Sequence, residues 1–95
     1  MSGHQSWQAI KAARLQSPEA RAAYDQAGRE IELGRRVRQL REAADITQAE
    51  LAARVGTSQS AIARLEAGGG SPKLDTLDRV AHALGVELVV ELRAS

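Results

Sequence analysis

Five polar side chains raise the first question: Thr47 and Gln48, then Gln59, Ser60 and Arg64. All five lie in the stretch TQAELAARVGTSQSAIARLEAG, residues 47–68. Their chemistry is that of reading hydrogen-bond patterns on flat polar edges. A glutamine amide pairs with adenine through two bonds, and an arginine fork does the same with the O6 and N7 of guanine. Gln59, Ser60 and Arg64 cluster on one short helix and stay outside if its apolar residues turn inward. Thr47 and Gln48 open the preceding helix, where free backbone N–H groups favour a phosphate.

The elements that hold these residues are marked by their ends. Thr47 with Glu50 three residues later spells a capping box, so a helix is expected from there to Val55. Gly56 suits the left-handed residue at its end. Ser58 then caps a second helix that reaches about Ala67. Leu51, Ala52, Val55, Ile62 and Leu65 are the inward positions of this pair. Two helices joined by a Gly-containing turn match the helix-turn-helix plan. A packing corner of any small bundle has the same outline, and the outward Gln59, Ser60 and Arg64 favour the DNA-reading alternative.

Upstream, Ser17, Pro18 and Glu19 form a helix start. The spacing of Ala20, Tyr24, Ala27 and Ile31 predicts a helix over 18–28, and Gly28 and Gly34 predict a break before a second helix over 31–43. Trp7, Ile10 and Arg14 mark a short amphipathic segment in residues 1–16. Downstream, Gly68-Gly69-Gly70-Ser71-Pro72 reads as a loop. Leu74, Leu77, Val80, Ala81 and Leu84 predict a last helix that Gly85 stops. In VELVVEL, Val86, Leu88, Val90 and Leu92 alternate with Glu87, Val89 and Glu91, which is a strand pattern. A lone strand needs a partner, and the simplest is the same strand of a second copy.

Composition bounds the rest. The chain has 95 residues, enough for one small domain. It has no Cys, so no disulfide or thiolate metal site is possible. No signal peptide or membrane-length apolar run is visible, and a cytoplasmic location is expected. Net charge is +1, and residues 31–95 hold as many acidic as basic side chains, so nucleic-acid binding has to come from local placement of charge. Arg35, Arg36 and Arg38 form the densest basic cluster. They read equally as backbone contacts or as a solvated helix face. Arg54 and Lys73 are candidates to flank the groove. His4 and His82 sit in unrelated contexts, and Gly68-Gly69-Gly70 lacks the Gly-Lys-Ser/Thr of a phosphate loop. No nucleophile–base pair or metal spacing appears, so neither an enzyme nor a cofactor is expected.

REAADITQAELAARVGTSQSAIARLEAG, residues 41–68, resembles the Xre-type helix-turn-helix family that includes phage Cro proteins and repressors. Thr47-Gln48, Leu51-Ala52, Gly56, Ile62 and Glu66 with Gly68 carry the match, and SPKLDTLDRVAHALGV continues it. The resemblance implies an all-α, lambda-repressor-like fold; with the N-terminal helical extension and the short C-terminal strand read from the pattern above, five helices and one strand are expected. It implies that Gln48 contacts phosphate, that Ser58 lies near the backbone, and that Gln59, Ser60 and Arg64 face the major groove. Arg41 and Glu66 would form a buried pair bracing the first helix against the reading helix.

SPEARAAYDQAGREIELGRRVRQLREAA also resembles the helical leader of HigA-type antitoxins. That likeness implies a dimer on a palindromic operator and a RelE/HigB-like mRNA-cleaving toxin as second partner and co-repressor. The organisation expected is residues 1–30 as a toxin-binding extension, 31–85 as the DNA-binding domain and 86–95 as the dimerisation strand. Trp7, Ile10 and Tyr24 are the candidate toxin contacts, on the preference of interfaces for aromatics. For Trp7 and Tyr24 the competing reading is packing on their own helical core. The alternative for the whole chain is a stand-alone Xre-family transcriptional repressor without a toxin partner.

Overall fold

The computed structural model describes residues 17–94, so the candidate toxin contacts Trp7 and Ile10 lie outside the described residues. Four helices follow in order: α1 (Pro18–Ala43), α2 (Gln48–Val55), α3 (Gln59–Glu66) and α4 (Leu74–Ala83). The Ser17 hydroxyl caps α1 by accepting from the Ala20 N–H at 3.0 Å. Thr47 and Glu50 close the capping box of α2, with bonds of 3.0 and 2.7 Å. The Ser58 hydroxyl accepts from Ala61 N–H at the start of α3. Each cap satisfies a backbone donor that a helix start leaves without an internal partner.

All four helices feed one core. Leu51 and Ile62 are fully buried at its centre. Val37 from α1, Ile46 from the first turn, Ala52 and Val55 from α2, Leu65 from α3 and Leu77 and Val80 from α4 surround them. The inward positions expected of α2 and α3 are therefore all buried. α3 packs against both α1 and α2, and α2 also packs on α4. Arg79 donates to the Val55 carbonyl at 3.0 Å, placing a cation at the negative end of α2.

The expected architecture needs two corrections. First, there are four helices among the described residues, not five. The break predicted around Gly28 and Gly34 is absent, and α1 runs unbroken for 26 residues. A helical glycine costs about 1 kcal/mol, which tertiary packing overrides. Gly34 is where that packing occurs. A methyl group there would collide with the Leu65 carbonyl oxygen and lie 2.7 Å from that of Glu66. Only a residue without Cβ lets α1 come so close to the end of α3. Among the described residues, a methyl group on Gly28 would meet nothing within 4 Å.

Second, the predicted C-terminal strand is absent: residues 86–94 form no strand. Alternation alone does not make a sheet, because a strand also needs a second one to bond. No other described segment is extended as a strand. Leu88 instead packs on the rim of the core, while Val89, Val90 and Leu92 stay exposed.

The two glycines of α1 should therefore respond in opposite directions. Gly28→Ala gains roughly 0.5–1 kcal/mol from helix propensity alone. Gly34→Ala loses about 2–3 kcal/mol, because the clash is with backbone that has no other rotamer to adopt. Thermal denaturation of both variants checks this, and equal melting points would refute the close-approach account.

Candidate nucleic-acid interface

The frame behind the polar face is a buried network. Glu66, the last residue of α3, has a side chain only 4% exposed, and that of Arg41 on α1 is 12% exposed. The guanidinium grips the carboxylate through two parallel bonds, Nε to Oε2 at 2.6 Å and Nη2 to Oε1 at 3.0 Å. Arg41 Nη1 also donates to the Ile46 carbonyl at 2.9 Å, which braces the turn between α1 and α2. Gln48 Nε2 completes the set by donating to Glu66 Oε1 at 3.0 Å. One carboxylate thereby joins the end of α1, the start of α2 and the end of α3.

Ionisation follows the geometry. Burial of Glu66 opposes its charge, but the bonds from Arg41 and Gln48 and the Arg41 charge together outweigh it. The carboxyl is held below its ordinary value. The same bond raises the pKa of Arg41 against a smaller effect of burial. Glu50 is also pushed down, first by the backbone N–H of Thr47 and then by its hydroxyl.

The polar face itself is open. Ser58, Gln59, Ser60 and Arg64 are exposed on and before α3. Thr47, Gln48 and Gln59 line one shallow depression. Arg64 and Lys73 line another, with Thr57, Ala61 and Thr76. Thr47, Gln48 and Gln59 thus form one group and Arg64 with Lys73 another, while Ser58 and Ser60 line neither depression. Arg35 pairs with Glu32 at 2.9 Å and Arg38 with Glu42 at 3.2 Å, both on the exposed face of α1. Two of the three arginines of the basic cluster are therefore locally compensated, and Arg36 has no acidic partner among the described residues. Arg54 and His82 lie together in a separate depression beside α4. Tyr24 is half-buried on α1.

Two features have no signature in the sequence. The family resemblance gives Gln48 to phosphate and Arg41 with Glu66 to bracing as separate roles, whereas one network holds all three. The spacing of Gln48 and Glu66 carried no signal for this, since the contact crosses the α2–α3 corner. The second is the bed on which Arg64 lies, made by glycines that read only as loop.

A short pair of capped helices, turned at Gly56 and fixed by a buried carboxylate with the second helix's polar face outward, defines a helix-turn-helix protein. Residues 37–90 match the helix-turn-helix family, and the chain belongs to it. An uncharacterised HTH-type transcriptional regulator of Methanothermobacter thermautotrophicus is 41% identical over 56 residues, spanning 59% of this chain and 81% of that protein. The crystal structure of a restriction-modification controller protein from Aeromonas hydrophila superposes with a TM-score of 0.64 at 30% identity, covering 66% of this chain and 91% of that one.

Removing one partner of such a buried pair leaves the other uncompensated and costs roughly 3–5 kcal/mol. Glu66→Ala should lower stability by that order at neutral pH. Because the folded pKa of Glu66 is depressed, its contribution is complete above the ordinary carboxylate range and fades as pH falls through the folded value. Melting curves against pH should show Glu66→Gln closing on the wild type in acid. A constant gap at every pH would exclude the ionised pair as its cause.

Proposed function

We propose that this chain is a DNA-binding transcriptional regulator that represses from a two-fold-related site, with α3 in the major groove. The observation that carries the reading is the exposed row Gln59, Ser60 and Arg64 on a helix whose other side is buried in the core. Gln59 and Arg64 are the base readers, as adenine- and guanine-type partners. Thr47, Gln48, Ser58 and Lys73 hold the sugar-phosphate backbone. Glu66 can only accept, so the Gln48 amide must turn its N–H toward it. The second N–H of that amide remains for a phosphate oxygen.

Charge supports a paired mode of action. Residues 31–95 are formally neutral, so each copy gains little from general attraction to DNA. Two linked copies raise the effective concentration of the second contact. The tail is the proposed contact between copies: Val86, Val90 and Leu92 are 38%, 61% and 97% exposed, and Leu88 anchors them to the core. Half-sites would then lie about 34–36 Å apart, one helical turn or a multiple.

The finer reading, an antitoxin that neutralises a RelE/HigB-like toxin, rests on the leader. α1 begins nineteen residues before the family match at Val37, so its first half is more than the motif requires. Neither relative's description names a toxin, and the stand-alone repressor remains the simpler reading.

Gln59→Ala and Arg64→Ala should each weaken a selected duplex by about 1–3 kcal/mol. Lys73→Ala should weaken all duplexes alike and lower the salt slope by roughly one unit. Gel shifts with a measured protein-to-duplex ratio test both claims. Undiminished binding by the two α3 variants, or one chain per duplex, would sink them. Deleting residues 1–28 should abolish co-purification with a toxin of that class if the finer reading holds. Full-affinity capture by the truncated chain would remove the leader from that role.

A further inference from the structure

The loop after α3 does more than connect. α3 ends with Gly68 N–H donating to Leu65 O at 3.1 Å and Gly69 N–H to Arg64 O at 2.9 Å, with Gly68 in the left-handed region at φ 83°. This double closure folds the chain back beside the last turn of the helix. Gly69 then faces the stem of Arg64. A methyl group on Gly69 would lie 3.0 Å from Arg64 Cγ and 3.9 Å from Cδ, and one on Gly70 would lie 3.7 Å from Cδ. The alkyl chain of Arg64 thus lies along a strip of bare backbone. Among the described residues no carboxylate or hydrogen bond holds the guanidinium.

The strip is itself fixed. On one side Gly68 presses on Ile31 of α1, where an added methyl would come within 2.8 Å of Cγ1. On the other, the Ser71 hydroxyl donates to Glu30 Oε2 at 2.9 Å and receives Gln26 Nε2 at 3.3 Å. The loop is therefore tied to the first helix before and after the two glycines. An arginine read through a planar fork needs its direction set, because two parallel bonds form only over a narrow range of approach.

We propose that Gly69 is a positioning residue for DNA sequence recognition: with Gly70 it forms a bed that aims the Arg64 guanidinium at one base pair of each half-site. This rests on the DNA-reading role of Arg64 given above. Gly69 is well suited to a test, because its φ is not in the left-handed region, so alanine enters without backbone strain. The added methyl must push the Arg64 stem aside.

The experiment uses the full chain and a pool of double-stranded DNA with a randomised centre. Wild type selects its preferred duplex, and every single-base variant of that duplex is then measured against wild type, Gly69→Ala, Arg64→Ala and the double variant. Arg64→Ala should lose discrimination at one position of each half-site, by about tenfold. Gly69→Ala should lose discrimination at the same position and no other, with an unchanged melting temperature. In the Arg64→Ala background the glycine change should add nothing, since its effect passes through Arg64. An equal loss from Gly69→Ala with and without Arg64 would make it a structural residue and overturn the proposal. Full discrimination by Gly69→Ala would overturn the bed while leaving Arg64 a reader. No positional loss in Arg64→Ala would remove the reading role itself, and the proposal with it.

Discussion

The two parallel bonds from Arg41 to Glu66 join parts of the chain that sequence keeps far apart. Around them the end of α1, the turn at Ile46, the start of α2 and the end of α3 meet. Taking both charges out of water is unfavourable, and a well-packed apolar pair of similar volume can match a buried ion pair in stability. What an apolar pair lacks is direction. The guanidinium fork, the carboxylate and the Gln48 amide accept each other in one arrangement, so the angle between α2 and α3 is fixed at both ends. The turn at Gly56 closes one end of the corner, and Glu66 closes the other.

Backbone contact fixes the remaining degree of freedom. Gly34 allows α1 to touch the Leu65 and Glu66 carbonyls, and Gly68 returns the contact against Ile31. These two close approaches flank the same last turn of α3 that holds Glu66. The proposed reading helix, only eight residues long, is thus held by bare backbone on one side and by a charged fork on the other. A helix of that length has little stability of its own, so its position is a property of the frame.

Much of this was legible in the chain and some was not, for separable reasons. Caps are local, so Ser17, Thr47 with Glu50, and Ser58 announced three helix starts correctly. Periodicity is local too, and it placed Leu51, Ala52, Val55, Ile62 and Leu65 in the core. The Arg41–Glu66 pair came through family resemblance, and no local pattern would have given it. Gly28 and Gly34 misled because propensity counts the glycine and not what approaches it. The VELVVEL alternation misled because a strand depends on a second strand that local sequence does not contain. Gln48 with Glu66, and Gly69 under Arg64, depend on how the helices meet, which no window of sequence describes.

Charge explains why such stiffness matters to the proposed function. On α1, Arg35 and Arg38 are each answered by a glutamate a turn away, and residues 31–95 together are neutral. A strongly basic protein can hold DNA loosely in many poses, because counterion release rewards any approach. A neutral one has no such reserve. Its affinity must come from a few well-aimed bonds, each lost if the donor is misplaced by a fraction of its length. A rigid corner, a braced amide at Gln48 and an arginine laid on glycine backbone are the devices that keep those donors in place. The same reasoning favours two copies acting together, since doubling a small set of exact contacts adds affinity without adding general attraction to DNA.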